Sequence, residues 1–236
     1  LPYHEELKKA GACFGVSGGY ERPMWFKLNG SGSDYKYSYG YQNWYPAVNF
    51  ETTNTKKNVG LFELSPFSKF DLVGEKTNEE LQKICTANIK NEPGKTTYTQ
   101  ILNQDGGIEI DLTVVCIDKN YFRMISSAAT RERDKFYLKK NLTDNIKFKD
   151  VTDDYCCLGL FGPKSRDLLN KLGKDDFSNN KFKFGTGKYI YINNIKVWAQ
   201  RLSYVGSLGY ELYVETSRAK DLYKLIVSEG KNYQLS

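Results

Sequence analysis

Asp111 stands where a strand-forming sequence has little use for a carboxylate. It lies in Ile108-Glu-Ile-Asp-Leu-Thr-Val-Val115, with Ile110 and Leu112 on either side. Aspartate is depleted in strands, and a local breach of this kind tends to mark function. Two readings are open from the residues alone: a working carboxylate, or one that simply faces water. The rest of the inventory narrows the chemistry. The sole histidine, His4, sits at the start of the chain. A histidine triad, a histidine-rich metal site or a histidine base in the main body is therefore excluded. Five cysteines (Cys13, Cys85, Cys116, Cys156, Cys157) form no CxxC pair, so no metal site is expected. They read as free, buried thiols in a reducing compartment. Acid–base or electrostatic work is left to carboxylates, Tyr and Lys.

The elements that position Asp111 follow from turn chemistry and periodicity. Residues 98–115 predict a β-hairpin turned by Gln104-Asp105-Gly106-Gly107, whose glycines supply positive φ. Ile108, Ile110, Leu112 and Val114 share one face of the second strand, and Glu109, Asp111 and Thr113 share the other. From Val59 an internal repeat appears. Strands at 61–64 and 67–73, a helix at 78–87, the hairpin, a strand at 121–126 and a helix at 130–140 make the first copy. A strand at 156–161, a helix at 163–172, a hairpin through Asn193-Asn194, a strand at 211–214 and a helix at 217–227 make the second. Val73-Gly-Glu-Lys76 lies beside Phe161-Gly-Pro-Lys164, and Ala129-Thr-Arg131 beside Thr216-Ser-Arg218. The fold class expected is α+β: two packed βαβββα-like units with antiparallel sheets. The units span 59–145 and 146–236 after a lead-in segment at 1–58. Asp111 on the first unit and the Gly-rich stretch Tyr204-Val-Gly-Ser-Leu-Gly-Tyr-Glu211 on the second would face a ligand between them.

The lead-in holds a short helix from about residue 4, a polar stretch at 29–41 and a helix from Tyr45 towards Asn58. Its Gly15-Val-Ser-Gly18-Gly19 lacks the GxGxxG spacing of a dinucleotide loop. Cys156 and Cys157 are adjacent in a strand and should point to opposite faces. A chain of 236 residues can bury a substantial core, and no apolar run approaches a membrane span. The net charge of +6 comes from 27 Lys and 7 Arg scattered along the sequence, a solvated surface rather than a nucleic-acid stripe.

Val59-Gly-Leu-Phe-Glu-Leu-Ser-Pro-Phe-Ser-Lys-Phe70, Tyr98 through Val114, Leu158-Gly-Leu-Phe-Gly-Pro163 and Ser203-Tyr-Val-Gly-Ser-Leu-Gly-Tyr-Glu-Leu-Tyr213 resemble the folate-binding aminomethyltransferase family. That family includes the glycine-cleavage T-protein. Gly19-Tyr-Glu-Arg-Pro-Met-Trp-Phe26 and Asn43-Trp44 resemble in particular the copy at the C-terminal end of dimethylglycine and sarcosine dehydrogenases. The resemblance implies a module that passes an oxidised N-methyl group to tetrahydrofolate, giving 5,10-methylenetetrahydrofolate. It implies a small-molecule N-methyl amine substrate and an FAD domain upstream in the same polypeptide, with FAD bound only there. It also implies a further folate subdomain downstream, missing from this chain, no nucleic-acid or membrane partner, and a cytoplasmic location (the mitochondrial matrix in a eukaryote). A non-catalytic module that docks the flavin domain, or a demethylase for another methyl donor, are the alternatives. Asp111 matches the family's catalytic carboxylate, and Tyr98 a tyrosine beside the folate. Ser127, Tyr204 and Ser207 complete the folate-side positions. Ser207 replaces the family's usual Glu, and Ser127 replaces an Asn of T-proteins. Loss of one charge-assisted bond at position 207 would cost roughly 1.5–3 kcal/mol, and Glu211, four residues on, is not expected to reach in its place.

Overall fold

In the computed structural model, which describes residues 1–28, 32 and 34–236, the expected hairpin forms as β5 (Thr96–Leu102) and β6 (Ile108–Asp118). Of the glycine pair, only Gly106 adopts positive φ, at +80°. The turn is completed by Asn103, whose side-chain oxygen accepts from Asp105 N at 3.0 Å and Gly107 N at 2.8 Å. An Asn side chain that mimics a backbone acceptor is a common turn device. β6 then pairs with β7 (Tyr121–Ser126), β7 with β4 (Ser68–Val73), and β4 with β8 (Lys147–Asp150). The second sheet has the same order of roles: β10 (Gly187–Ile192), β11 (Ile195–Gln200), β12 (Gly209–Glu215), β9 (Tyr155–Phe161) and β3 (Gly60–Glu63). Every pairing in the two sheets is antiparallel. The edge strands are exchanged between the copies of the repeat. β3, counted by sequence with 59–145, closes the second sheet, and β8, counted with 146–236, closes the first.

Helices α3 (Thr77–Ile84) and α4 (Arg131–Asn141) cover the outer face of the first sheet, burying Leu81 and Leu138 against Leu112, Val114 and Phe122. On the second, α5 (Ser165–Leu172) and α6 (Thr216–Gly230) bury Leu168, Leu169, Leu222 and Ile226 against Leu158, Val197 and Leu212. The inner faces of the sheets meet through Val115, Ile117 and Ile125 on one side and Cys157, Trp198 and Tyr213 on the other. The four layers are thus helices, sheet, sheet, helices. Because β6 is buried on both faces, it reads as a continuous apolar run at its centre. Cys156 lies in the outer core and Cys157 in the inner one, and all five thiols are buried and free.

The lead-in contains α1 (His4–Lys9), a hairpin of β1 (Ala12–Ser17) and β2 (Tyr20–Phe26), and α2 (Tyr45–Lys57). Gly18 and Gly19, at φ +61° and +82°, turn that hairpin. They join strand to strand rather than strand to helix, and so do not fit a dinucleotide. Tyr3 stacks on Tyr223 with centroids 5.0 Å apart, fastening the lead-in to α6. Residues 29–31 and 33 of the polar stretch lie outside the described residues. Among the described residues no helix is long and apolar enough to cross a membrane.

Candidate functional site

A cavity of about 180 Å³ opens between the two sheets. That is the scale of one ring system, since a cavity of roughly 150 Å³ holds a benzene. From the first sheet it is lined by Tyr98 of β5, Asp111 and Thr113 of β6, and Ser127 just past β7. From the second come Cys157 of β9, Glu211 and Tyr213 of β12, and Tyr204 from the loop that leads into β12.

Strand alternation delivers Asp111. Leu112 and Val114 point out to α3 and α4, so Asp111 and Thr113 point inward, where Asp111 lines the cavity and stays exposed. Gln100 sits opposite it in the ladder and donates Nε2 to Asp111 Oδ1 at 2.9 Å. Tyr98 lines the cavity beside the same carboxylate, and the nearby Asp111 raises the Tyr98 pKa. Asp111 is therefore held by one neutral donor, and among the described residues no cation pairs with it. Ser127 spends its hydroxyl as the cap of a short turn, accepting from Ala129 N at 3.3 Å.

Glu211 lies deeper, with 5% of its surface exposed. No Lys, Arg or His among the described residues pairs with it. Its one protein bond is from the Tyr213 hydroxyl, 2.6 Å from Oε2. Burial pushes the Glu211 carboxyl pKa up, and the Tyr213 bond opposes that shift. Opposite it in the ladder, Gln200 is fully buried with Nε2 unpartnered. The cavity wall at Leu64 and Phe67 is the turn between β3 and β4. Lys69, fully buried, braces it by donating Nζ to the carbonyls of Ser65 and Phe67, both at 2.8 Å. Burial lowers the Lys69 pKa, and this ammonium is spent on backbone.

The structure thus brings together Tyr98, Asp111, Ser127 and Tyr204. Ser207 does not line the cavity. It is half-buried in the loop before β12. Glu211, not expected to reach, does line it. Four residues along a strand cover about 13 Å, and that distance carries the chain from the surface loop into the space between the sheets. The signal was there: Glu211 interrupts Gly-Tyr-Glu-Leu-Tyr-Val as Asp111 interrupts its own strand. A second, larger cavity of about 460 Å³ lies between the lead-in hairpin and the second sheet. Of its carboxylates, Glu51 accepts from Phe26 N at 2.8 Å, and Glu63 accepts through Oε1 from Tyr3 Oη at 3.2 Å and Ser65 N at 2.7 Å while its Oε2 is unpartnered. Among the described residues no group of three or more potential metal ligands comes together.

Residues 3–236 match the GCVT N-terminal domain. The chain belongs to that family. It is 34% identical over 99% of its length to the 4-methylaminobutanoate oxidase (formaldehyde-forming) of Paenarthrobacter nicotinovorans, covering 28% of that protein. It is 31% identical over 96% of its length to the mitochondrial dimethylglycine dehydrogenase of Rattus norvegicus, covering 27% of it. An aminomethyltransferase of Natranaerobius thermophilus is 29% identical over 80% of this chain and 53% of its own. The crystal structure of the glycine cleavage system aminomethyltransferase T from Bartonella henselae superposes over the whole chain with a TM-score of 0.81 at 21% identity, covering 58% of that protein. The α+β architecture expected from the sequence is therefore the aminomethyltransferase fold. The chain is an aminomethyltransferase-type domain related to dimethylglycine and sarcosine dehydrogenases. It spans little more than a quarter of the first two relatives.

Proposed function

We propose that this domain accepts a one-carbon unit from an oxidised N-methyl amine and passes it to tetrahydrofolate held in the inter-sheet cavity. The observation that carries this is the convergence of Tyr98 and Asp111 from one sheet with Glu211 from the other on one small, largely apolar cavity. Tetrahydrofolate, when bound, supplies the ring nitrogen that takes up the one-carbon unit. The protein groups divide the rest. Glu211 is the acceptor for N–H groups of the ring, because it is the deep carboxylate with no cation of its own. Asp111 at the mouth stabilises the cationic carbon of the incoming iminium and takes up the proton released on transfer. Gln100 fixes the orientation of Asp111, and Tyr98 lines the cavity beside it. Oxidation of the amine belongs to a flavin domain of the same polypeptide, since the glycines here turn a hairpin.

Asp111→Asn tests the assignment. Asn keeps the shape and the bond from Gln100 but removes the charge, so transfer should slow by about 10²–10³, as when one preorganised electrostatic group is lost. In the polypeptide that carries the oxidising domain, the amine is still oxidised. Free formaldehyde then replaces methylenetetrahydrofolate under saturating folate. Unchanged partitioning of the two products refutes the role. A second reading draws on the relative whose name specifies formaldehyde as product. There the domain keeps the fold and the one-carbon unit leaves unbound. Calorimetry with 5-formyltetrahydrofolate separates the two, because only the first expects saturable binding that weakens in Glu211→Gln.

A further inference from the structure

Tyr213 and Glu211 sit two apart on β12, so both face the inner layer. Tyr213 is 3% exposed and packs in the inner layer with Val115, Ile117, Ile125 and Trp198. Its ring has nowhere to turn, and its hydroxyl donates to Glu211 Oε2 at 2.6 Å. Cys157 is the partner of Tyr213 in the ladder. The groups that face Glu211 from every other side are few. Cys157 comes from β9 and Gln200 from β11, while Tyr98 and Asp111 of the first sheet and Tyr204 of the loop lie across the cavity. Lys69, behind Cys157, has its ammonium committed to carbonyls of the turn. Among the described residues nothing cationic holds the carboxylate, so its orientation hangs on one phenol.

We propose that Tyr213 is the positioning residue of this cavity: its hydroxyl occupies one oxygen of Glu211 and presents the other as the acceptor for a ligand's N–H groups. The proposal rests on the reading of the cavity as a ligand site. It separates two roles that the cavity's residues mix: Glu211 touches the ligand, and Tyr213 acts only through Glu211. Without the hydroxyl, burial alone governs Glu211. The carboxyl then keeps its proton to higher pH, its free oxygen becomes a donor in part of the population, and N–H groups of a ligand lose their acceptor.

The test follows 5-formyltetrahydrofolate affinity by calorimetry from pH 5.5 to 8.5, and the Glu211 carboxyl by carbon-13 NMR titration without ligand. Tyr213→Phe keeps the ring. Near neutral pH it should weaken affinity about tenfold, the loss of one charge-assisted bond. Its pH profile and NMR inflection should both move up, and affinity should recover at the alkaline end. A site-specific 3-fluorotyrosine, a stronger donor of the same shape, should move both down and keeps the test sound if Tyr213→Phe folds poorly. In a Glu211→Gln background, Tyr213→Phe should add nothing. An unmoved NMR inflection in both variants overturns the proposal. So does a pH-independent loss of affinity that tracks a lower melting temperature. If the wild type does not bind the probe, the ligand-site reading falls, and the ligand-free titration alone then decides whether Tyr213 governs Glu211.

Discussion

Replacing Asp71 by alanine strands a guanidinium between the two sheets. Arg123, 2% exposed, donates Nε to Asp71 Oδ1 at 2.7 Å and Nη2 to Oδ2 at 2.9 Å, a bidentate pair across the β4–β7 ladder. The Tyr121 hydroxyl adds a third bond to Asp71 at 2.7 Å, and the guanidinium lies over the Tyr155 ring of the second sheet at 4.1 Å. Burial works against the Arg123 charge, but the Asp71 bonds outweigh it and hold its pKa above the ordinary range. Asp71→Ala removes that compensation and leaves the burial. A buried charge stripped of its partner costs about 3–5 kcal/mol, whereas an apolar pair of similar volume is often neutral or better. The expected order is therefore non-additive: Asp71→Ala falls by about 3–5 kcal/mol, while Asp71→Leu with Arg123→Met stays close to wild type. Urea unfolding of the singles and the double, followed by far-UV circular dichroism, measures the cycle. A cost below about 1 kcal/mol for Asp71→Ala refutes the reasoning, because it means that Arg123 finds water or another acceptor.

Glu211→Gln should raise stability at pH 8 by about 1–3 kcal/mol, the penalty of a poorly partnered buried group, and change it little at pH 4. The sign follows from the raised carboxyl: the unfolded chain loses this proton first, so stability falls as pH climbs from the unfolded pKa through the folded one and stays lower above it. Melting curves at the two pH values check it, and an equal gain at both assigns the effect to packing instead. Ser207→Glu should leave folate affinity within about twofold, as befits a residue off the cavity wall. A marked tightening in calorimetry would put position 207 back beside the ligand.

Periodicity and turn chemistry located the repeat, both hairpins of the sheets and the inward face of Asp111, because each is a local property of the chain. What failed was set by partners distant in sequence. A four-residue strand such as Gly60–Glu63 says nothing about which sheet it will close, and it closed the other one. The β1–β2 hairpin hid behind Pro23, a residue that argues against a strand and sits here opposite Phe14, next to the break in register. Glu211 lies four residues past Ser207, and distance along a strand is what carries a side chain from a loop into the space between two sheets. The buried brace from Lys69 to the Ser65 and Phe67 carbonyls had no signature at all, since a lysine in a strand reads as solvated until its layer is known.

The repeat also explains where the molecule has its open cavity in the inner layer. With Val73-Gly matched to Phe161-Gly, the ladder pair Asp71–Arg123 of the first sheet occupies the register of Gly159–Glu211 in the second. In the first sheet that position is filled by an ion pair with Tyr121 and Tyr155 around it. In the second, the strand opposite Glu211 contributes a glycine. A Cβ on Gly159 would come within 2.7 Å of Phe161 and 2.8 Å of Leu64, the latter a wall of the cavity. A larger residue there would have to displace the Phe161 ring or the Leu64 methyl, and the glycine gives Glu211 no side-chain partner from that strand. One copy of the repeat spends its inner-layer charge on stability. The other leaves Glu211 buried beside the cavity, where burial raises its carboxyl pKa and the Tyr213 hydroxyl is its side-chain partner among the described residues.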